Sequence, residues 1–308
     1  MRDAFVSALT ALAAGDPRVI LLTADLGFKL FDEFARLYPG RFFNVGVAEA
    51  NMISIAAGLA LDGKRPFAYS IVPFVTARCL EQIRLDLCEM ELPVTVVGVG
   101  GGYAYGPNGP SHHGIDDIGM MRSLPGMTVI APCDPRETAA VVRATLGVRG
   151  PVYLRLGRAN DPILPGTDAD FALSVPNVLR SGKTVLLLAC GAIAAEALCA
   201  AETLARNGLD VAVFSAHTVK PLGALVDRVA EYEIVFVVEE HGPHGGLFEA
   251  IAGALAERPQ LRVRLHRICA PDRFHHRVGS SSFLRAASGL DAAAIASTVS
   301  RALEGRHH

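Results

Sequence analysis

A single carboxylate interrupts an apolar stretch near the start of the chain. Glu49 lies in the segment FFNVGVAEANM, between Ala48 and Ala50, and the apolar run ISIAAGLAL follows it. Carboxylates are almost never fully buried without a partner. Glu49 therefore either lies at the N-terminus of the helix predicted over 48–62, where the helix dipole favours a negative charge, or takes part in chemistry.

Two adjacent histidines, His112 and His113, lie in a second candidate segment. A glycine-rich loop, GVGGGYAYG, follows the apolar run LPVTVVGVG at 92–100 and leads into NGPSHHGIDD. In open α/β sheets, ligands bind beyond the carboxyl ends of the strands. A loop at this place with few bulky side chains is suited to a polar substrate. In the alternative interpretation, the histidines cap the helix predicted around 115–122.

Better-known motifs do not fit these segments. A dinucleotide-binding GxGxxG starting at Gly98 or Gly100 requires glycine where Tyr103 and Tyr105 stand. P-loop, HExxH and GxSxG motifs are absent. Adjacent residues on a strand point in opposite directions, and no cysteine or carboxylate clusters near the two histidines in sequence. We therefore expect no metal site in this chain.

Composition narrows the class of protein. The 308 residues suggest two domains. A net charge of −2 and a pI near 6.6 give no basic face for nucleic acid. No apolar run is long enough to span a membrane, and MRDAFVSALTALAAGD is typical of an amphipathic helix rather than of a signal peptide. Six scattered cysteines without CxxC spacing indicate reduced thiols and a cytoplasmic protein.

The first domain is predicted over 1–160. Strands are expected at 18–25, 65–70, 92–100, 126–132 and 151–156, and helices at 48–62, at 73–90 and from Asp134, where Asp134, Pro135 and Glu137 form a capping-box type start. Alternation of strands and helices indicates a parallel sheet covered on both faces.

A linker is predicted over 161–182, because this part of the chain is rich in proline and has little periodicity. A second, smaller α/β domain is predicted over 183–308, with strands at 183–191, 210–216, 233–240 and 262–268 and helices at 192–206 and from about 245. The closing RHH is interpreted as the remainder of a tag.

In their order, the motifs of the chain resemble the C-terminal half of transketolases. The resemblance lies in LTADLG, NVGVAEANMISIAAGLAL, RCLEQIR, GPSHHGIDD and APCDPRE, and in HTVKPL and VVEEHGPHGGL of the second half. It covers essentially the whole chain. It implies a pyrimidine-binding domain followed by a transketolase C-terminal-like domain, each a largely parallel sheet flanked by helices.

The resemblance implies a catalytic role for Glu49. In thiamine-diphosphate enzymes, a glutamate at this position hydrogen-bonds N1′ of the aminopyrimidine ring. This bond favours the tautomer whose 4′-nitrogen removes the proton from C2 of the cofactor. The cofactor provides the chemistry, while the protein provides geometry and electrostatics.

The resemblance also implies a partner. Transketolases hold the diphosphate and Mg²⁺ through a GDG-type motif, and no GDG occurs here. The chain is therefore expected to be the β-type subunit of a split enzyme that is active only with an α-type subunit carrying that site, in an α₂β₂ assembly. The alanine-rich helix at 48–62 would suit either a subunit interface or an ordinary core.

Further positions are matched residue by residue. His112 corresponds to a histidine that contacts substrate near the reacting carbons, whereas His113 has no counterpart. Asn108 stands where the family usually has aspartate and keeps hydrogen bonding to a sugar hydroxyl. Phe74 corresponds to an aromatic that packs on the aminopyrimidine, although it could equally be a core residue.

Around the same ring, Ile71 or Val72 replaces a second aromatic side chain. Asp25 corresponds to an acid near the cofactor cleft, or it caps the loop that follows its strand.

Arg158 and Arg2 correspond to arginines that bind the phosphate of sugar substrates, a task that suits the bidentate guanidinium group. By spacing, the histidine and the serine of that phosphate site fall on Gly100 and Lys29. Lys29 could still neutralise an anion, whereas Gly100 has no side chain. The expected substrates therefore include unphosphorylated, nucleotide-linked or otherwise unusual sugars and oxoacids.

The expected reaction is transfer of a two-carbon ketol unit from a ketose-like donor to an aldehyde acceptor, with hydroxyl groups oriented by His112 and Asn108. Two alternatives use the same cofactor: a condensation like that of 1-deoxyxylulose-5-phosphate synthase, and the β subunit of a 2-oxoacid dehydrogenase E1. An alternative of another class is a non-catalytic binding or regulatory subunit.

Overall fold

The computed structural model describes residues 1–167 and 171–304, so the closing RHH and residues 168–170 of the expected linker lie outside it. Within the described residues the strands are β1 Val19–Thr23, β2 Phe42–Asn44, β3 Arg65–Ile71, β4 Thr95–Val99, β5 Thr128–Ile130, β6 Val152–Leu156, β7 Asn177–Arg180, β8 Val185–Cys190, β9 Val211–Ser215, β10 Thr218–Lys220, β11 Ile234–Glu239 and β12 Arg264–Cys269.

The same residues form α-helices α1 Arg2–Gly15, α2 Asp32–Leu37, α3 Glu49–Leu61, α4 Val72–Val75, α5 Leu80–Gln82, α6 Asp117–Ser123, α7 Pro135–Ala144, α8 Ala194–Arg206, α9 Leu225–Val229, α10 Leu247–Ala256, α11 Ser281–Ala287 and α12 Ala292–Glu304. None of the helices in the described ranges is long and apolar enough to cross a membrane.

Two mostly parallel sheets organise the chain, as the sequence predicted. The larger sheet has the order β10-β5-β6-β4-β3-β1-β2, and the smaller one β12-β11-β8-β9-β7. Strands β1, β4 and β6 are buried at every residue, which is typical of parallel strands covered on both faces. One core cluster contains side chains from both sheets, including Ile20 of β1 and Leu188 of β8.

Three strands were not predicted. β2 pairs parallel with β1 at one edge of the larger sheet. β7 lies inside the expected linker and pairs antiparallel with β9 at the edge of the smaller sheet. β10 belongs to the second half of the sequence but pairs antiparallel with β5 at the edge of the larger sheet. All three are short edge strands, whose few residues give little periodicity. The domain boundaries at 160 and 183 stay a prediction.

The single helix predicted over 73–90 is wrong. This segment begins within α4, continues as a 3₁₀ turn at Ala77–Cys79 and as α5, and ends in a π-helix at Ile83–Glu89. At the first break the buried hydroxyl of Thr76 donates to the carbonyl of Val72 at 2.7 Å. The broken path holds residues 72–79 at the carboxyl end of β3.

The capping-box type start of α7 is confirmed. Oδ1 of Asp134 accepts from the Glu137 N–H at 2.7 Å, and Oε2 of Glu137 accepts from the Cys133 N–H at 2.7 Å. Oδ2 of Asp134 also accepts from the Leu164 N–H at 2.9 Å and from the Thr167 hydroxyl at 2.7 Å. The cap therefore ties the following segment to the first sheet.

Replacing Asp134 should lower the stability of the protein. Asp134→Ala removes the cap and leaves buried donors unpaired, so we expect the free energy of unfolding to fall by about 3 kcal/mol. The matched control is Ser280→Ala, which removes the exposed cap of α11 and should cost about 1 kcal/mol. Urea unfolding of both variants measures the difference, and equal losses would show that Asp134 is only a helix cap.

Candidate active site

Glu49 is the first residue of α3 and is buried, with 2% of its surface exposed. Its Oε1 accepts from the hydroxyl of Ser70 in β3 at 3.2 Å, and its Oε2 accepts from Nη1 of Arg78 at 2.5 Å. The carboxylate is therefore directed at the carboxyl end of the sheet. Ala48 occupies the N-cap position and gives no side-chain cap.

A row of contacting side chains leads away from Glu49. The guanidinium of Arg78 lies over the ring of Phe74, with Cζ 4.6 Å from the ring centroid. Phe74 meets His112 edge-on at 5.1 Å between centroids, and His112 lies 6.4 Å from Tyr105. Cζ of Arg158 is 5.8 Å from the centroid of Tyr105. Glu49 and Arg158 are thus the two ends of one row of neighbouring side chains.

His112 is half-buried in the middle of this row. Its Nδ1 is 3.0 Å from the hydroxyl of Ser111. Burial lowers the pKa of His112 from its usual value, so the imidazole is neutral near pH 7 and can both donate and accept. Neither His112 nor His113 caps α6, whose N-cap residue is Asp116.

A cavity of about 290 Å³ lies at the Arg158 end of the row. Arg2, Asn108, Arg158, Ile71 and Tyr105 all line it. The structure therefore brings together four of the predicted site residues and adds Tyr105, which the sequence had not singled out. Burial raises the pKa of Tyr105, which keeps its hydroxyl a proton donor at neutral pH.

Gly100 explains the position of Tyr105. The glycine has a φ of +88°, and a Cβ built on it would lie 2.1 Å from the Tyr105 ring. Only glycine leaves this space and tolerates this backbone conformation. Where the resemblance placed a histidine, the cavity is therefore lined by the phenol of Tyr105 instead.

Lys29 and Asp25 lie apart from the cavity of Arg2 and Arg158. Lys29 is exposed and lines a different cavity, next to Asp3 and Glu33. Asp25 is exposed too. Its N–H donates to Oδ1 of Asn44 at 2.9 Å, and Nδ2 of Asn44 donates back to its carboxylate at 3.3 Å. This pairing fits the loop-capping alternative for Asp25.

Sequence reasoning missed Arg78 and Ser70, the two partners of Glu49. The only signal for Arg78 was an arginine four residues after Phe74 in an otherwise apolar segment. The break at Thr76, which was not predicted, determines where that arginine lies. Within the described ranges, no group of three or more His, Cys, Asp or Glu side chains is arranged to hold a metal ion.

Comparison with known proteins identifies the family. The family model for the transketolase pyrimidine-binding domain matches residues 1–162, and that for the transketolase C-terminal domain matches 176–295. The chain therefore belongs to the transketolase family, whose members are thiamine-diphosphate-dependent transferases. This confirms the class of enzyme that the motifs predicted.

Several relatives are single subunits of split enzymes. The chain is 38% identical to the 6-deoxy-6-sulfo-D-fructose transketolase subunit of Clostridium sp. (strain MSTE9), over 96% of this chain and 92% of that protein. It is 34% identical to one subunit of the apulose-4-phosphate transketolase of Phocaeicola vulgatus, over 96% of this chain and 95% of that subunit. The β-type assignment is thereby confirmed.

A solved structure and a longer relative complete the comparison. A split-gene transketolase, described as an inactive β4 tetramer, superposes with a TM-score of 0.87 and 34% identity over 98% of this chain and 97% of that one. The 1-deoxy-D-xylulose-5-phosphate synthase 2 of Geobacter sulfurreducens is 37% identical over 98% of this chain but only 49% of its own length.

The buried His113, next to His112 in the chain, should make the free energy of unfolding depend on pH. His113 is 3% exposed, and burial lowers its pKa. As the pH falls, the unfolded chain takes up this proton first. The stability associated with neutral His113 is therefore complete above the unfolded pKa of about 6.5 and decreases below it.

His113→Asn should reduce this loss. Between pH 7.5 and 5.5 we expect its free energy of unfolding to fall less steeply than that of the wild type, by up to about 1.4 kcal/mol per pH unit below the unfolded pKa. His244→Asn, at a position 74% exposed, should keep the wild-type slope. Urea unfolding at several pH values measures the slopes, and parallel curves for His113→Asn and wild type would contradict the prediction.

Proposed function

We propose that this chain provides the pyrimidine-binding half of a transketolase that transfers a two-carbon ketol unit from a ketose-like donor to an aldehyde acceptor. The observation that supports it is the continuous row from buried Glu49, past Phe74 and His112, to the arginine-lined cavity at Arg2 and Arg158. A carboxylate and an aromatic face for the cofactor ring are followed by a neutral imidazole and an anion site for the substrate.

The residues at the Glu49 end fit the aminopyrimidine of thiamine diphosphate. Glu49 is a buried hydrogen-bond acceptor, and the guanidinium of Arg78 that occupies the space between Glu49 and Phe74 is itself a planar N–H donor. When bound, the cofactor supplies the carbon nucleophile. Glu49 would hold a proton at the ring nitrogen and Phe74 would contact the ring face. Ile71, which was also expected beside this ring, lines the cavity at the other end of the row.

The loop after β4 would bind and orient the substrate. Neutral His112 would donate to or accept from a substrate hydroxyl or carbonyl near the reacting carbons. Asn108, which lines the cavity, would bind a hydroxyl farther along the chain of the sugar. Because both groups are uncharged, they orient hydroxyls and stabilise developing charge without competing with the arginines for the anionic end.

The diphosphate and Mg²⁺ would be held by an α-type partner that carries the GDG motif, in an α₂β₂ assembly. The relatives named as subunits support a partner. The solved relative made of β chains alone is described as inactive, which also supports this arrangement. With the GDG motif on another chain, the active site would be complete only at the contact between the two subunits.

A substrate with a terminal phosphate or sulfonate fits the cavity. Arg2 and Arg158 both line it, and guanidinium groups bind such oxyanions through paired hydrogen bonds. The two split-subunit relatives are named for a sulfonated and a phosphorylated sugar. An unphosphorylated substrate, which the loss of the histidine at position 100 suggested, is the less favoured prediction.

A condensation that starts from pyruvate is a second candidate, because the synthase relative is 37% identical over nearly the whole chain. Release of CO₂ from pyruvate by the reconstituted enzyme would support it, or the 2-oxoacid dehydrogenase alternative. Ketol transfer without CO₂ release would support the proposal.

Replacing Glu49 tests whether the subunit is catalytic. In the reconstituted complex, Glu49→Gln keeps the shape of the side chain but cannot hold the proton, so kcat should fall by about 100-fold or more. Glu81→Gln, at an exposed position, is the matched control and should leave kcat unchanged. Wild-type kcat in Glu49→Gln would instead favour the non-catalytic alternative.

The arginine cavity can be tested through KM. Arg158→Met should raise KM for a phosphorylated or sulfonated sugar by about 10- to 100-fold, because a charge-assisted hydrogen bond is lost, with little change in kcat. KM for an uncharged analogue should not change. Lys29→Met should have no effect on either substrate, since Lys29 lies outside this cavity. An equal rise in KM for charged and uncharged sugars would refute the anion site.

A further inference from the structure

Arg78 occupies the space in which the proposed function places the aminopyrimidine ring. Its Nη1 lies 2.5 Å from Oε2 of Glu49, and its Cζ lies 4.6 Å from the centroid of Phe74. A flat, N–H-donating cation therefore contacts both the acid and the aromatic face at once. These are the two surfaces that would bind the ring of the cofactor.

In the free subunit, Arg78 provides the counter-ion for the buried carboxylate of Glu49. Glu49 is 2% exposed, and Ser70, its other partner, is uncharged and fully buried. A buried carboxylate without a counter-ion is strongly unfavourable. Of the described residues, Arg78 is the one that forms an ion pair with Glu49.

We propose that Arg78 is a positioning residue that takes the place of the aminopyrimidine in the free subunit and must leave Glu49 when the cofactor binds. This inference rests on the proposed function. Arg78 and the ring would compete for the same carboxylate oxygen and the same face of Phe74.

The local structure allows Arg78 to move. Its side chain is 46% exposed on one side, and it stands in the short 3₁₀ turn after the break at Thr76. The side chain can therefore rotate into solvent without displacing a buried element. Binding of the cofactor would then exchange one partner of Glu49 for another, and the free energy of the Glu49–Arg78 contact would be subtracted from cofactor affinity.

The first test is the affinity for thiamine diphosphate of the reconstituted complex, measured by isothermal titration calorimetry. Arg78→Met keeps the length of the side chain but removes the competing charge, and we expect Kd to fall about fivefold or more, because the charged hydrogen bond no longer has to be broken. Arg84→Met, at an exposed position of the same segment, should leave Kd unchanged. A Kd for Arg78→Met that is unchanged or higher overturns the inference, because Arg78 would then not compete with the cofactor.

The second test uses the free subunit without cofactor. Arg78→Met should lower its stability to urea, and the same change in the Glu49→Gln background should have no effect, because no buried charge is left unpaired. Equal losses in both backgrounds would overturn the inference. The proposed function fails separately, if the wild-type complex binds no thiamine diphosphate at all.

Discussion

A carboxylate held out of water is the constraint on which the site depends. Glu49 stands at the junction of α3 and β3, buried and paired with Ser70 and Arg78. Such a group persists only when the surrounding fold supplies a charge partner. The break of the helix after β3 brings Arg78 to it. The path of the backbone after β3 and the Glu49–Arg78 ion pair thus depend on each other.

The second half of the chain holds in place the loop that carries His112. The buried Arg155 pairs with Asp117 at 2.8 Å and donates to the carbonyls of Gly114 and Glu240. Glu240 accepts two hydrogen bonds from Arg285, at 3.1 and 2.9 Å. Removing one partner of such a pair leaves the other as an unpaired buried charge. The smaller sheet therefore contributes to the site by fixing the loop that carries His112.

The sequence was sufficient for features encoded locally. The longer parallel strands, the helix after Glu49 and the cap at Asp134 each leave a pattern within a few residues. The sequence was insufficient where contacts between distant residues determine the position of a strand or a side chain. Strand β10 joins a sheet formed by the other half of the chain, and the exposed position of Lys29 depends on a loop with positive φ. The Glu49–Arg78 pair depends on the helix break at Thr76.

The most direct measurement is to purify the chain from its native cells and to determine, by mass spectrometry, the co-purifying proteins and the bound cofactor. The account predicts a stoichiometric partner that contains a GDG motif, together with about one thiamine diphosphate per copy of this chain, as expected for a shared active site. A chain that is recovered alone, and that neither contains nor binds the cofactor, would contradict the account. The family resemblance would then reflect ancestry rather than catalysis.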